Sequence, residues 1–117
     1  MLAARNSFPR NLSLKGRVET VRLFKHGKRV SGRCCTVIWE VGDSTKFGVF
    51  ISKRHGKAVK RNRIKRLYRE AIRLNRHLLD QPLNIGVIPN AAIEKTDFAE
   101  INEELCRIFK LITTQRK

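Results

Sequence analysis

The sequence predicts an α+β fold, a two-layer α/β sandwich, and three observations carry that expectation. A strongly basic stretch, Ala58 to His77, repeats its apolar residues at helical spacing. Two β-branched runs, Arg33 to Val41 and Lys46 to Ser52, alternate between faces with period 2. A third segment, Asp97 to Ile112, returns to helical spacing. Both periods within a chain of 117 residues call for helices and strands packed around one core.

Residues 1–13 are polar, contain a proline and show no period, so they read as a flexible arm before a single domain spanning 14–117. From Lys15 to His26, Val18, Val21 and Phe24 recur at helical spacing with Leu23 beside them, and Gly27 is a C-terminal stop. Arg33 to Val41 reads as a strand with Cys35, Val37, Trp39 and Val41 on one face. Gly42-Asp43-Ser44 is a turn signal. The next strand, Lys46 to Ser52, sets Phe47, Val49 and Ile51 toward the core and Gly48, Phe50 and Ser52 away from it. The short polar turn predicts that these two strands pair antiparallel.

After the loop Lys53 to Lys57 comes the basic helix, with Ile64, Leu67, Ala71, Leu74 and Leu78 as its apolar stripe. Gln81-Pro82 breaks the chain, and Leu83 to Ile88 is a short apolar strand stopped by Pro89. The last helix is capped by Thr96 or Asp97 and buries Phe98, Ile101, Leu105, Ile108 and Leu111 or Ile112, turning its acids to solvent. The order is therefore helix, strand, strand, basic helix, strand, helix, with room for an extra short strand. Helices should cover one sheet face and leave part of the other open.

Charge is the strongest functional signal. Lys and Arg number 26 against 10 acids, a formal net charge of +16. Eleven of those cations lie between Lys53 and Arg76, a stretch holding one acid, Glu70. Like charges one turn apart repel by a few tenths of a kcal/mol per pair, roughly, and a polyanion relieves that repulsion. Phosphate backbones are the commonest such partner, so the helix reads as a nucleic-acid-docking face. An amphipathic helix on a membrane would need bulky apolar residues kept free for lipid, whereas Ile64, Leu67 and Leu74 are needed by the core.

Other classes find little support. Cys34 and Cys35 are adjacent and Cys106 is distant, which offers neither a disulfide framework nor zinc spacing and suggests a reducing, cytoplasmic setting. No apolar run approaches a membrane span, and Met1 to Arg10 lacks the apolar core of a secretory signal. His26, His55 and His77 are scattered and read as surface residues, not as ligands or bases. Glu70 stands among cations and reads as a salt-bridge partner of Arg66 or Arg73. Gly56-Lys57 lacks the rest of a phosphate-binding loop. No catalytic group is visible, so a self-sufficient nuclease is disfavoured.

The run Ser52-Lys53-Arg54-His55-Gly56-Lys57-Ala58-Val59-Lys60-Arg61-Asn62-Arg63-Ile64-Lys65-Arg66 resembles the protein subunit of bacterial ribonuclease P. The similarity extends to Leu12 to Lys28, with Arg17, Glu19, Phe24 and Gly27, and to Ile85 to Pro89. The resemblance implies a fold like domain 2 of ribosomal protein S5, with a left-handed βαβ crossover through the basic helix. It implies that a large RNA subunit is the catalyst, removing the 5′ leader of precursor tRNA with magnesium held mainly by the RNA and substrate. The small protein would dock on that RNA and hold the leader. Its expected partners are thus ribonuclease P RNA and precursor tRNA, with no membrane and no obligate protein partner. A structural ribosomal-type RNA-binding protein without a role in cleavage is the alternative.

Carried over onto this chain, Arg61, Asn62 and Arg63 are the implied RNA-subunit contacts, and Lys53, Arg54, Lys60, Lys65, Arg66 and Arg69 extend that surface. Arg17, Phe24 and Lys65 fall to the leader. Two departures stand out: Thr20 replaces a usual Phe one turn before Phe24, and Cys35 replaces a larger apolar residue, with Trp39 near enough to restore core volume. Strand alternation places Phe50 on the face opposite the core, where it can supply the stacking area that Thr20 lacks.

Overall fold

The structure is a computed structural model and describes residue 14 and residues 17–90 and 97–115. The arm expected at 1–13 and the possible cap Thr96 lie outside the described residues. In chain order the elements are α1 (Arg17–His26), β1 (Lys28–Ser31), β2 (Cys35–Val41), β3 (Lys46–Val49), α2 (Ala58–Asn75), β4 (Leu83–Pro89) and α3 (Phe98–Gln115). Single 3-10 turns, Lys53–His55 and Arg76–Leu78, precede and follow α2. The sheet order is β1-β2-β4-β3. β2 is antiparallel to both β1 and β4, while β3 and β4 run parallel and are joined through α2. This is the α+β sandwich expected, with β1 as the extra short strand.

Period 2 sorts the sheet into two faces. On one, Cys35, Val37 and Trp39 of β2, Phe47 of β3 and Leu83, Ile85 and Val87 of β4 meet Tyr68, Ala71 and Ile72 of α2. Ile101, Leu105, Ile108, Phe109 and Ile112 of α3 complete this core, and the rings of Phe47 and Phe109 stack at 6.2 Å. On the other face α1 crosses the sheet, with Leu23 and Ile38 buried beneath it beside Gly27 and Gly86. Part of that face stays open.

The two strands expected to pair, β2 and β3, are not neighbours: β4 lies between them. The reason is burial on both faces. β4 places Leu83, Ile85 and Val87 in the core and Gly86 under Leu23 and Phe50, so it takes the interior position. The short β3 takes an edge.

Two helical faces differ from their expected stripes, and α3 keeps the expected one. In α1 only Leu23 is fully buried, while Val18 is 82% exposed and Val21 also faces outward. Burial of Leu23 beside Gly86 sets this rotation, and exposed ion pairs from Arg22 to Glu40 (2.8 Å) and from Glu19 to Lys46 (3.7 Å) accompany it. In α2 the buried line is Tyr68, Ala71, Ile72 and Asn75, with Ile64 and Leu67 at its margin and Leu74 exposed. Two polar residues share the line because both are satisfied. Tyr68 donates to the Cys34 carbonyl at 3.1 Å, and Asn75 donates to Ala71 O and Asn102 Oδ1. In α3 Ile112 is buried and Leu111 is exposed, and Asp97 Oδ1 caps the helix by accepting from the Glu100 N–H at 2.9 Å.

Not all the acids of α3 face solvent. Glu104 is buried, and its carboxylate accepts the backbone N–H groups of Arg33, Cys34 and Cys35 in the turn between β1 and β2. Cys34 and Cys35 are buried free thiols, whereas Cys106 is half-exposed. Cys35 and Trp39 do share the core cluster.

Candidate nucleic-acid interface

The chain leaving β3 makes one turn before it becomes α2, and the local sequence dictates how. Ser52 Oγ accepts from the Arg54 N–H at 3.3 Å, and the Ser52 N–H donates to His55 Nδ1 at 3.2 Å. That is a capping box with His in the place where Glu or Gln is usual. Gly56 follows at φ 111°, a conformation that a side chain would strain, and redirects the chain into Lys57 and α2. The turn thereby exposes Lys53 and Arg54 together.

From Lys53 to Arg69 the chain contains no acid. Lys60, Asn62, Arg63, Arg66 and Arg69 are exposed, while Arg61 and Lys65 are half-buried on one flank of α2. The helix has no acidic residue and no side-chain cap in its first turn, so its own N-terminal N–H groups add to the positive field. Glu70 does pair with Arg73, through two bonds of 2.9 and 2.6 Å, and that hydrogen bonding holds its carboxyl below the usual carboxylate range. The other acids with ion pairs, Glu19, Glu40, Glu100 and Glu104, lie on α1, β2 and α3. These pairs use no cation of α2 other than Arg73.

Beside this surface lies a cleft of about 350 Å³, lined by Phe24, Phe50, Ile51, Ser52, Arg54, His55, Ile88, Pro89 and Asn90. It has an aromatic wall. Phe24 from α1 and Phe50, just beyond β3, meet edge to face. The Phe50 backbone prolongs the parallel ladder, its N–H donating to the Val87 carbonyl at 2.9 Å. Its ring lies over Gly48 and Gly86, paired residues of β3 and β4 that leave room for it. Phe50 is thus on the face opposite the core, as its alternation required.

Of the residues singled out in the sequence, the cleft unites Phe24, Phe50 and Arg54. Lys65 is not among its lining residues, and the Arg17 side chain lies outside the described residues. Sequence reading missed Ile88, Pro89 and Asn90, although the alternation of β4 already placed Ile88 on the Gly86 face. It also took His55 for a surface residue, and here the correction is plain: the ring is 7% exposed, and its Nε2 lies 2.8 Å from the Pro89 carbonyl oxygen. The signal was Ser52-x-x-His55, a capping pattern with an unusual fourth residue. His26 and His77 are exposed, as expected.

Among the described residues no three His, Cys, Asp or Glu side chains converge where a cation could be held. No described helix is long and apolar enough to cross a membrane.

Comparison with known proteins places this geometry. The family model described as Ribonuclease P matches residues 8–113. The ribonuclease P protein component of Desulforapulum autotrophicum is 33% identical over 108 residues, covering 91% of this chain and 92% of that protein. The solved structure of the RNase P protein from Thermotoga maritima superposes with a TM-score of 0.75 at 29% identity, covering 84% of this chain and 94% of that one. A Staphylococcus aureus RNase P protein mutant with defective mRNA degradation activity gives a TM-score of 0.80 at 25% identity, over 96% and 97% of the two chains. Sequence and fold agree across almost the whole length, and this chain belongs to the ribonuclease P protein family.

Proposed function

We propose that this chain is the RNA-binding subunit of a ribonuclease P in which the catalytic centre lies in the RNA partner. In this reading the acid-free surface of α2 docks on the RNA subunit, and the aromatic cleft holds the 5′ leader of precursor tRNA during its removal. The single observation that carries the proposal is adjacency: Arg54 belongs both to the basic turn and to the cleft lined by Phe24 and Phe50. A strand entering the cleft could stack a base on an aromatic ring while Arg54 forks two donors onto a phosphate. Arg61, Asn62 and Arg63 would meet the RNA subunit, the arginines at phosphates and the amide at a ribose or base edge.

Magnesium, which the reaction requires in this reading, is assigned to the RNA and to substrate phosphates. The protein's part is to bind, orient and neutralise.

Reconstitution tests the proposal. The protein is combined with a transcript of a bacterial ribonuclease P RNA and assayed on precursor tRNA at limiting magnesium. Protein-dependent release of the leader, with no cleavage by the protein alone, is the expected outcome. Binding should weaken steeply with salt as phosphate counterions are released. Co-purification with ribosomal RNA and no stimulation of cleavage would overturn the reading in favour of a ribosomal-type protein.

A further inference from the structure

We propose that His55 is a positioning residue that sets the spacing between the basic turn and the leader cleft, so that its link to Pro89 tunes leader affinity. The inference rests on the cleft's assignment to the leader and adds a residue to it. His55 has three structural attributes that no other residue of the turn combines. It is buried, it closes the capping box of its own turn, and it reaches across to the last residue of β4.

The ring's hydrogen bonds fix its roles. Nε2 faces the Pro89 carbonyl, an acceptor, which assigns the ring proton to Nε2 and leaves Nδ1 to accept from the Ser52 N–H. Nε2–H then donates to the Pro89 carbonyl at 2.8 Å. One ring therefore satisfies an N–H of the turn and a buried C=O of the sheet, which would be costly to leave without a donor. Pro89 continues into Asn90, whose N–H donates to the Cys34 carbonyl, so this end of β4 is itself fastened to the turn before β2. Pro89, Asn90 and Ile88 form one wall of the cleft, with Ser52, Arg54 and Phe50 opposite in sequence. His55 ties the basic turn itself to β4, one turn beyond the bond from the Phe50 N–H to the Val87 carbonyl.

The capping box and the tie can be separated by substitution. His55→Gln offers an amide that can accept from the Ser52 N–H and donate to Pro89 O. His55→Glu keeps the cap acceptor, the usual capping-box residue, but presents only acceptors to the Pro89 carbonyl. The two side chains are nearly equal in size but Glu adds a negative charge beside the cleft, so their difference is read at raised salt, where repulsion of the leader phosphates is screened and the tie remains.

The experiment measures binding of precursor tRNA and of leaderless mature tRNA to the reconstituted holoenzyme, with protein–RNA assembly and thermal unfolding of each variant alongside. His55→Gln should keep the preference for precursor within about twofold of the parent, whereas His55→Glu should lower it roughly fivefold, the fold-change for one lost hydrogen bond. Mature tRNA binding should be equal in both. If Gln and Glu variants, both folded and assembled, show the same preference as the parent, the positioning role is overturned. If mature tRNA binding falls as much as precursor binding, His55 acts on the fold at large and the proposal likewise fails. A parent holoenzyme with no preference for precursor would instead overturn the assignment of the cleft itself.

Discussion

Phe24 and Phe50 meet with ring centroids 5.1 Å apart and planes inclined at 64°. An edge-to-face pair at this distance is worth roughly 0.5–1.5 kcal/mol beyond its buried area. The pair couples α1 to the end of β3 while leaving both rings partly open to the cleft. Thr20, one turn earlier on α1, offers no ring. Phe50→Ala is expected to weaken precursor tRNA binding by about 1–3 kcal/mol, the range for base stacking on an aromatic ring, and to leave mature tRNA binding unchanged. Filter binding of the two substrates to the holoenzyme checks this. Equal losses for both would show that Phe50 supports the fold and not the leader.

The glycine floor beneath Phe50 gives an independent handle. A Cβ built on Gly86 would come within 2.7 Å of the Phe50 ring, too close to be tolerated without movement. Gly86→Ala should therefore displace the ring and reproduce part of the Phe50→Ala defect while the aromatic remains present. Its backbone is not in the left-handed region, so no strain of that kind confuses the result. Leader-dependent affinity measured on a folded Gly86→Ala variant is the readout, and an unchanged value would count against Phe50 as the stacking platform.

The two faces of α2 should respond oppositely to truncation. Arg63 is exposed, so Arg63→Ala should cost about 1–3 kcal/mol in assembly with the RNA subunit and leave the unfolding transition almost unmoved. Ile72 is fully buried against the sheet, so Ile72→Ala should cost about 2–5 kcal/mol of fold stability. Thermal melts and RNA titrations of both variants separate the cases. Unfolding of Arg63→Ala would place that residue in the fold and remove it from the interface.

Glu104 organises the turn between β1 and β2 from a distance of about seventy residues. Its carboxylate accepts from Arg33 N at 2.9 Å and Cys35 N at 3.1 Å, and Cys34 N also donates to it. Glu104→Ala strands the buried N–H donors of Cys34 and Cys35, at about 1–3 kcal/mol for each left unsatisfied, so its melting temperature should fall well below that of the neighbouring surface variant Glu103→Ala. Equal melting of the two would mean that the turn finds other acceptors.

The element types were legible because each rests on a local period, and the basic surface was legible because charge density needs no tertiary context. Phe50 was placed by alternation alone. What escaped were choices made between distant segments. The position of β4 between β2 and β3 depends on which strand can be buried on both faces, and a short turn after β2 points the other way. The burial of Glu104 depends on orphan N–H groups that exist only once β1 and β2 have turned. His55 looked like a surface residue because its partner, Pro89, lies on another element. Val18 and Val21 followed a helical period, yet α1 turns Leu23 to the sheet and leaves both of them outside.

The vicinal thiols supply a pH-dependent prediction. Burial, and next the Glu104 carboxylate, pushes the Cys35 thiol up from 9.0 to about 12, and burial likewise raises Cys34. The folded state therefore keeps a proton that the unfolded chain gives up near pH 9. Between that value and about 12 the native state binds more protons than the unfolded one, so stability should fall as pH rises through this window and be fully present below it. Tyr68, raised by burial and by the nearby thiols, deepens the loss above its ordinary value of 10.0. Denaturant midpoints measured from pH 8 to 11 should decline in the parent and decline less steeply in Cys35→Ala. In the native state an alkylating reagent should reach half-exposed Cys106 well before Cys34 or Cys35, since only a thiolate reacts and both of these are buried. Parallel midpoint curves for parent and variant, or rapid labelling of Cys35 at pH 9, would show that this thiol ionises freely in the folded protein.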